Sequence, residues 1–347
     1  MNLILPYLTS FFITFFSIPL IIKFAKKYKL VDNPKIRPHP AHIQTRTVPR
    51  AGGLANFLGI VLTILIFLPL DKHIFGIVIG LIILLLVGLL DDKYQNLSPY
   101  LRLIAQFSAS LVIVLSGIGI NFITNPLGGI IYLNPTIADI LALIWIVWVM
   151  NMINWSKGVD GQMPGIVTVS AFILGLLSLK INLFSDPQQL NVAKIAFITS
   201  ASALGLLIFN WYPAKIFPGF SGSTILGFMI AVLSILSGAK LATAGLVLLI
   251  PAADFTYTFV RRILQGRSPV WGDRGHLHHK LLEIGFSHSQ ISLFYILGSV
   301  ILGAASLSLS SSGKLFAAGL VATIILGGIL WLNFFGDFLK QSDPDNG

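Results

Sequence analysis

The stretch I-F-G-I-V-I-G-L-I-I-L-L-L-V-G-L-L-D-D-K, Ile74 to Lys93, decides the fold class. It is uncharged from 74 to 90 and then meets two adjacent carboxylates, Asp91 and Asp92. A spanning helix needs about 20 mostly apolar residues. This run is short for one, and it ends in charge as a helix does on reaching a membrane surface. Similar apolar runs cover residues 3–22, 52–70, 103–120, 138–154, 164–181, 193–210, 223–239, 241–259, 291–310 and 315–335. The reading is an all-α, polytopic integral membrane protein of about 10–11 transmembrane helices with cytoplasmic active-site loops. Residues 1–335 read as a single transmembrane domain and 336–347 as a short cytoplasmic tail.

Composition agrees. Of the 347 residues 55% are hydrophobic and 10% charged, with mean hydropathy +0.86, whereas soluble domains carry about 25% charged residues. There are no cysteines, which excludes disulfides and thiolate metal sites. The net charge is +10, but the basic residues sit between apolar runs. Topology bias and attraction to anionic lipid account for them, and nucleic acid is not an expected partner. Leu3 to Ala25 has no preceding basic segment and no small-residue cleavage site, so it reads as a retained helix rather than a removed signal. No internal repeat or low-complexity linker is apparent.

Lys and Arg positions orient the chain. With the N-terminus outside, only Lys72, Lys180, Lys194, Lys240 and Lys314 of the 23 basic residues fall outside. That asymmetry predicts an outer N-terminus and a cytoplasmic C-terminus. The polar-rich loops 23–51, 91–102, 151–163, 210–222 and 260–290 then share the cytoplasmic face. A transporter would place polar groups near the bilayer midplane on broken helices. Polar groups gathered at one face suit an enzyme that joins a soluble substrate to a membrane lipid.

Four of these loops have residues suited to chemistry. Adjacent Asp91 and Asp92 repel each other and need a cation; Mg²⁺ is typically held by one or two carboxylates with phosphate oxygens. The alternative is a solvated helix end balanced by Lys93. In N-M-I-N-W-S-K-G-V-D-G-Q-M-P-G (151–165), Asn151 and Asn154 share a helix face. Gly158, Gly161 and Gly165 there permit tight turns and close backbone approach, and Asp160 is the only carboxylate. Around Ser221, G-F-S-G-S resembles a phosphate-cradling turn into a helix N-terminus, though a plain flexible turn is the better reading of such a cluster alone. Arg261, Arg262, Arg267 and D-R-G-H-L-H-H-K-L (273–281) supply arginine forks and imidazoles. Asp273, Arg274, His276, His278 and His279 read better as a diphosphate surface than as a zinc site. Asp254, near a span end, is a functional candidate because intramembrane carboxylates are costly.

Taken together, these loops resemble the polyprenyl-phosphate N-acetylhexosamine-1-phosphate transferase family, of the glycosyltransferase 4 type. V-D-x-P (31–34), P-R-x-G-G-L (49–54), the aspartate pair followed by L-S-P and R-L, N-x-x-N-x-x-x-G-x-D-G (151–161), F-N-x-x-P-A-x-I-F (209–217) and the histidine stretch occur in the family's order over nearly the whole chain. The resemblance is greater to the branch using UDP-N-acetylglucosamine for surface polymers than to the peptidoglycan branch. It implies transfer of a sugar 1-phosphate, N-acetylglucosamine 1-phosphate, from a UDP-sugar to undecaprenyl or another polyprenyl phosphate at the cytoplasmic face of a bacterial-type inner membrane. UMP would be released, and the product would start a cell-envelope glycan. The resemblance assigns catalysis and Mg²⁺ (or Mn²⁺) binding to Asp91 and Asp92; Lys157 reads as a third catalytic group from its charge, which would neutralise the diphosphate. The resemblance also assigns substrate contacts to Asn151, Asn154, Asp160, Gly161, Ser221, Arg274, His276, His278 and His279. Expected partners are UDP-sugar, polyprenyl phosphate and the lipid bilayer, with a homodimer allowed.

Two positions depart from the family pattern. Lys157 and Phe220 stand where the family has aspartates, and the second of those is a metal ligand in the family. Either Lys157 supplies charge in place of a metal, with a reduced or absent metal requirement, or the chain binds UDP-sugar or lipid phosphate without turnover. A transporter would need charges deep in several spans, and only Asp254 is so placed.

Overall fold

The computed structural model describes residues 2–34, 46–125, 129–184, 188–237, 241–268 and 275–341. Its elements follow as α1 (Ile4–Lys27), β1 (Val31–Asp32), β2 (Val48–Pro49), α2 (Gly52–Phe67), α3 (Lys72–Tyr94) and α4 (Pro99–Leu115), then β3 (Phe122–Thr124), β4 (Ile130–Tyr132), α5 (Pro135–Trp155), α6 (Gln162–Phe184), α7 (Gln189–Asn210) and α8 (Gly219–Leu236). The last are α9 (Leu241–Val247), α10 (Leu249–Leu264), α11 (Leu277–Glu283), α12 (His288–Ser308) and α13 (Ser311–Gln341). The strands form two antiparallel two-stranded ribbons, so the protein is all-α and polytopic. Among the described residues, 8 helices are long and apolar enough to cross a membrane, or 9 with the bent α9–α10 pair; α2 and α4 are shorter apolar helices. Large apolar side chains such as Phe16, Leu115 and Phe316 are exposed on the bundle surface, as lipid contact permits and water does not.

Local sequence explains where several helices start. Ser98 and Asn134 each precede a proline, and their side chains accept the N–H two residues on, of Tyr100 and Thr136. Proline at the first helical position has no N–H to leave unsatisfied. Ser287 and Gln290 close a capping box at α12.

Two expectations change. The run at 74–90, short for a span, belongs to a full-length helix, α3, and Asp91 and Asp92 end it as expected, in its last turn. The run at 241–259 is not one straight span: α9 and α10 meet at 84°. Pro251 has no N–H to offer the Val247 carbonyl, and its ring crowds that carbonyl, so a continuous helix fails there. Helix α13 continues to Gln341, into the expected tail, and residues 342–347 lie outside the described residues.

Helix α8 is the core, with 94% of its length buried, and it packs against α2, α3, α5, α6, α7 and α9. Its first turn, G-F-S-G-S, is narrow. A Cβ at Gly53 of α2 or Gly88 of α3 would run into the backbone of Ser221. Small residues thus let three helices meet backbone to backbone. Deeper in, Thr14 and Asn56 bond the Ser202 hydroxyl, each at 2.9 Å, tying α1 and α2 to α7.

Candidate active site

The polar loops converge at one end of the bundle. Residues 49–53 lie against the α7–α8 loop: Phe217 N–H donates to Pro49 O at 2.8 Å, and Gly52 N–H donates back to Phe217 O at 3.0 Å. This places Arg50 over the end of α3 and the start of α8.

Asp92 is the hub. Its Oδ1 accepts from Phe220 N–H at 2.6 Å and Arg50 Nε at 3.1 Å; its Oδ2 accepts from Ser221 N–H at 3.2 Å and the Ser221 hydroxyl at 2.5 Å. A carboxylate on one helix therefore caps the positive end of another. Arg102 Nη2 lies 2.6 Å from Asp91 Oδ1, and Arg50 spans Asp92, Asp91 (3.7 Å) and Asp32 (3.8 Å). Burial works against the Arg50 charge, but Asp92, Asp91 and Asp32 prevail and hold its pKa above the usual arginine value. Both Asp91 and Asp92 are fully buried. The exposed remainder of the cluster is cationic: the side chains of Arg50 and Arg102 keep 18% and 30% of their surface, and Lys157 is half-buried.

Lys157 Nζ donates to Asn154 Oδ1 at 2.7 Å, Gly219 O at 3.3 Å and Ser223 Oγ at 3.5 Å. Ser223 Oγ also reaches Asn154 Oδ1 at 2.8 Å. Gly219 is the spacer. It has φ +73°, and a Cβ there would strike the Asp92 carboxylate, so only glycine fits between the two charges. Burial, then repulsion from Arg50, pushes the Lys157 pKa down to about 7 against the pull of Asp92 and Asp91. Phe220 turns its ring to Arg102, whose guanidinium carbon lies 5.3 Å from the ring centroid.

The remaining sequence-predicted residues form flanking groups. Asn151 Nδ2 donates to Gln106 Oε1 of α4 at 2.8 Å, away from Lys157's partners. Asp160 accepts from Ala214 N–H at 2.8 Å, with Arg46 at 3.9 Å. Burial raises its pKa, opposed by that N–H, His288 and Arg46. Gly161, at φ +84°, donates its N–H to Asn210 Oδ1 at 3.0 Å. His276 Nδ1 lies 3.0 Å from Asp254 Oδ2, and Asp254 Oδ1 accepts from Leu277 N–H at 2.7 Å, so this carboxylate docks α11 onto α10. His278 abuts Gly158, where a Cβ would overlap its ring, and stacks on His276 at 5.3 Å. Burial, with His276 and His279 beside it, lowers the His278 pKa well below the ordinary histidine value. Its Nδ1 has no hydrogen-bond partner among the described residues. Nearby, Arg262 sits over Trp155 at 4.5 Å. Arg274 and Asp273 lie outside the described residues.

The donor set does not fit a divalent metal. Asp92 has both oxygens engaged, Asp91 faces two guanidinium groups, Lys157 and Phe220 stand at two further positions where the family has carboxylates, and Asp160 is engaged with Ala214 N–H and Arg46. Among the described residues, no group of three His, Asp or Glu side chains is placed to hold an ion.

The sequence places Arg50 and Arg102 inside motifs but assigns neither a role in the site. The P-R-x-G-G-L and L-S-P-Y-L-R-L segments held that signal. Gly219 and Ser223 read in the sequence only as part of a Gly/Ser turn, and nothing in the sequence singles out Gln106.

Three relatives and one family description place the chain. The family model for glycosyl transferase family 4 matches residues 74–238. The "Probable undecaprenyl-phosphate N-acetylglucosaminyl 1-phosphate transferase" of Bacillus subtilis (strain 168) is 30% identical, over 97% of this chain and 89% of its own length. The decaprenyl-phosphate N-acetylglucosaminephosphotransferase of Mycobacterium leprae (strain TN) is 32% identical, over 94% of this chain and 89% of its own. The undecaprenyl-phosphate alpha-N-acetylglucosaminyl 1-phosphate transferase of Escherichia coli O157:H7 is 28% identical, over 81% and 76%.

Proposed function

The chain belongs to glycosyl transferase family 4, in the branch of polyprenyl-phosphate N-acetylglucosamine-1-phosphate transferases, and from that premise we propose that it moves N-acetylglucosamine 1-phosphate from UDP-N-acetylglucosamine to a polyprenyl phosphate. The reaction takes place at the cytoplasmic face of a bacterial inner membrane, with the N-terminus outside, and begins a cell-envelope glycan. An oxygen of the lipid phosphate attacks the β-phosphorus. One P–O bond forms there, the bond from the β-phosphorus to the bridging oxygen breaks, and UMP leaves with that oxygen.

The observation that supports this reading is the partly buried cationic cluster of Lys157, Arg50 and Arg102 beside two fully buried aspartates. Phosphoryl transfer depends on positioning and on stabilising charge spread over phosphate oxygens. Lys157 and the two arginines meet that demand, while Asp91 and Asp92 hold them in place. Asn154 orients the Lys157 ammonium, and the neutral His278 is available to the donor's diphosphate. The test is purified protein in detergent with undecaprenyl phosphate and radiolabelled UDP-N-acetylglucosamine. Lipid-linked sugar diphosphate and UMP should appear together.

Phe220 favours a second reading, binding without turnover, because a phenyl ring cannot do the work of a carboxylate. Specific UDP-sugar binding with neither product, across several UDP-N-acetylhexosamines, would select it.

A further inference from the structure

We infer that Lys157 is the resident cation of this site and that the chain binds its UDP-sugar without a divalent metal; the identity of that ligand rests on the proposed function.

Three observations carry it. First, the charge is already balanced. With Lys157 protonated, Arg50, Arg102 and Lys157 match Asp32, Asp91 and Asp92, so a divalent ion entering without nucleotide would leave two uncompensated charges in a buried place, which is costly. Second, the Lys157 ammonium is coordinated as a cation would be. Its donors meet an amide oxygen from the end of α5 and a backbone carbonyl and a hydroxyl from the first turn of α8. Third, the carboxylates of Asp91 and Asp92 are fully buried while the cations keep part of their surface. An approaching metal meets positive charge, and an approaching diphosphate meets the two guanidinium groups and the Lys157 charge.

The test uses the full chain in detergent and two readouts other than turnover. In the first, Mn²⁺ is added without nucleotide and followed by electron paramagnetic resonance. The wild-type protein should leave the free-ion spectrum intact, and saturable loss of signal at one ion per chain would overturn the inference. The double variant Lys157→Asp, Phe220→Asp should acquire such a site. If it keeps the wild-type elution volume and thermal midpoint yet takes up no Mn²⁺, the ammonium does not occupy a cation position.

In the second, UDP-N-acetylglucosamine binding is compared in EDTA and in Mg²⁺. Equal affinity is expected, and binding only with Mg²⁺ would overturn the inference. Lys157→Met should weaken binding about 10- to 100-fold, the loss of one charge-assisted contact, with Lys157→Arg recovering part. Absence of UDP-sugar binding in both buffers counts against the proposed function, and the Mn²⁺ readout then still decides the cation question.

Discussion

Ser221 donates its hydroxyl to Asp92 across a sequence distance of 129 residues, fastening the last turn of α3 to the first turn of α8. The serine gives Asp92 two donors, hydroxyl and N–H, while Phe220 and Arg50 supply the others. Ser221→Ala leaves Asp92 buried with one donor fewer. A buried acceptor that loses a partner costs about 1–3 kcal/mol. The thermal midpoint in detergent should fall and UDP-sugar binding should weaken; an unchanged midpoint would show that the bond contributes nothing net.

Gly88→Ala tests the close approach beneath that contact. The added methyl meets the Ser221 backbone, so α8 must shift and the Asp92 bonds must lengthen. Overpacking of this kind typically costs about 1–3 kcal/mol. Gly245→Ala is the control, because a Cβ there meets nothing within 4 Å. Equal midpoints for the two variants would refute the backbone-contact account.

Removing Arg50 should harm the fold more than either change. Arg50→Ala strips the shared partner from Asp32, Asp91 and Asp92. Breaking a buried ion pair by removing one member costs about 3–5 kcal/mol. Much reduced recovery of folded protein from membranes is expected, by fluorescence size exclusion. Arg50→Lys should recover only part, since an ammonium cannot fork across three carboxylates.

Lys157 predicts a pH dependence. Its pKa lies at about 7 in the folded protein, lowered from 10.5 by burial and by Arg50 and Arg102, with Asp92 and Asp91 opposing. The ammonium is therefore complete below pH 7 and lost as pH rises through it. UDP-N-acetylglucosamine binding should be tightest on the acid side and weaken above pH 7, with proton uptake on binding near pH 8 by calorimetry in two buffers. Between about 7 and 10.5 the unfolded chain binds the extra proton, so this residue's contribution to stability rises with pH. Wild type should gain thermal stability relative to Lys157→Met across that window. A flat difference would contradict the assignment.

Asp254 predicts a coupling between two helices. Asp254→Ala removes the acceptor of both Leu277 N–H and the His276 ring. Helix α11 should loosen, seen as faster amide exchange at residues 277–283, while exchange in α8 stays unchanged. Equal protection of α11 in the variant would mean that its packing, not Asp254, holds it.

The apolar runs made the helices legible, because twenty apolar residues in a row have few alternatives. They could not show the break at Leu248: both sides are apolar, and a single proline carries the signal. The loops' chemistry was legible as residue types, but not their pairing. Asp92 reads as half of a metal-binding pair until Phe220 and Ser221 arrive from the other half of the chain. Arg50 reads as one basic residue among many in its loop, and only the ribbon contact with Phe217 carries it over α3. Asn151 and Asn154 share a face in sequence, yet they turn to different helices, α4 and α8, because the two lie on either side of α5's end.

Gly219 keeps Lys157 and Asp92 apart by one peptide unit with no side chain of its own. The backbone there would look the same to a metal ion or to an ammonium group. On the inference above, the charge that the pocket holds is set by the side chains at 157 and 220 rather than by the peptide that separates them.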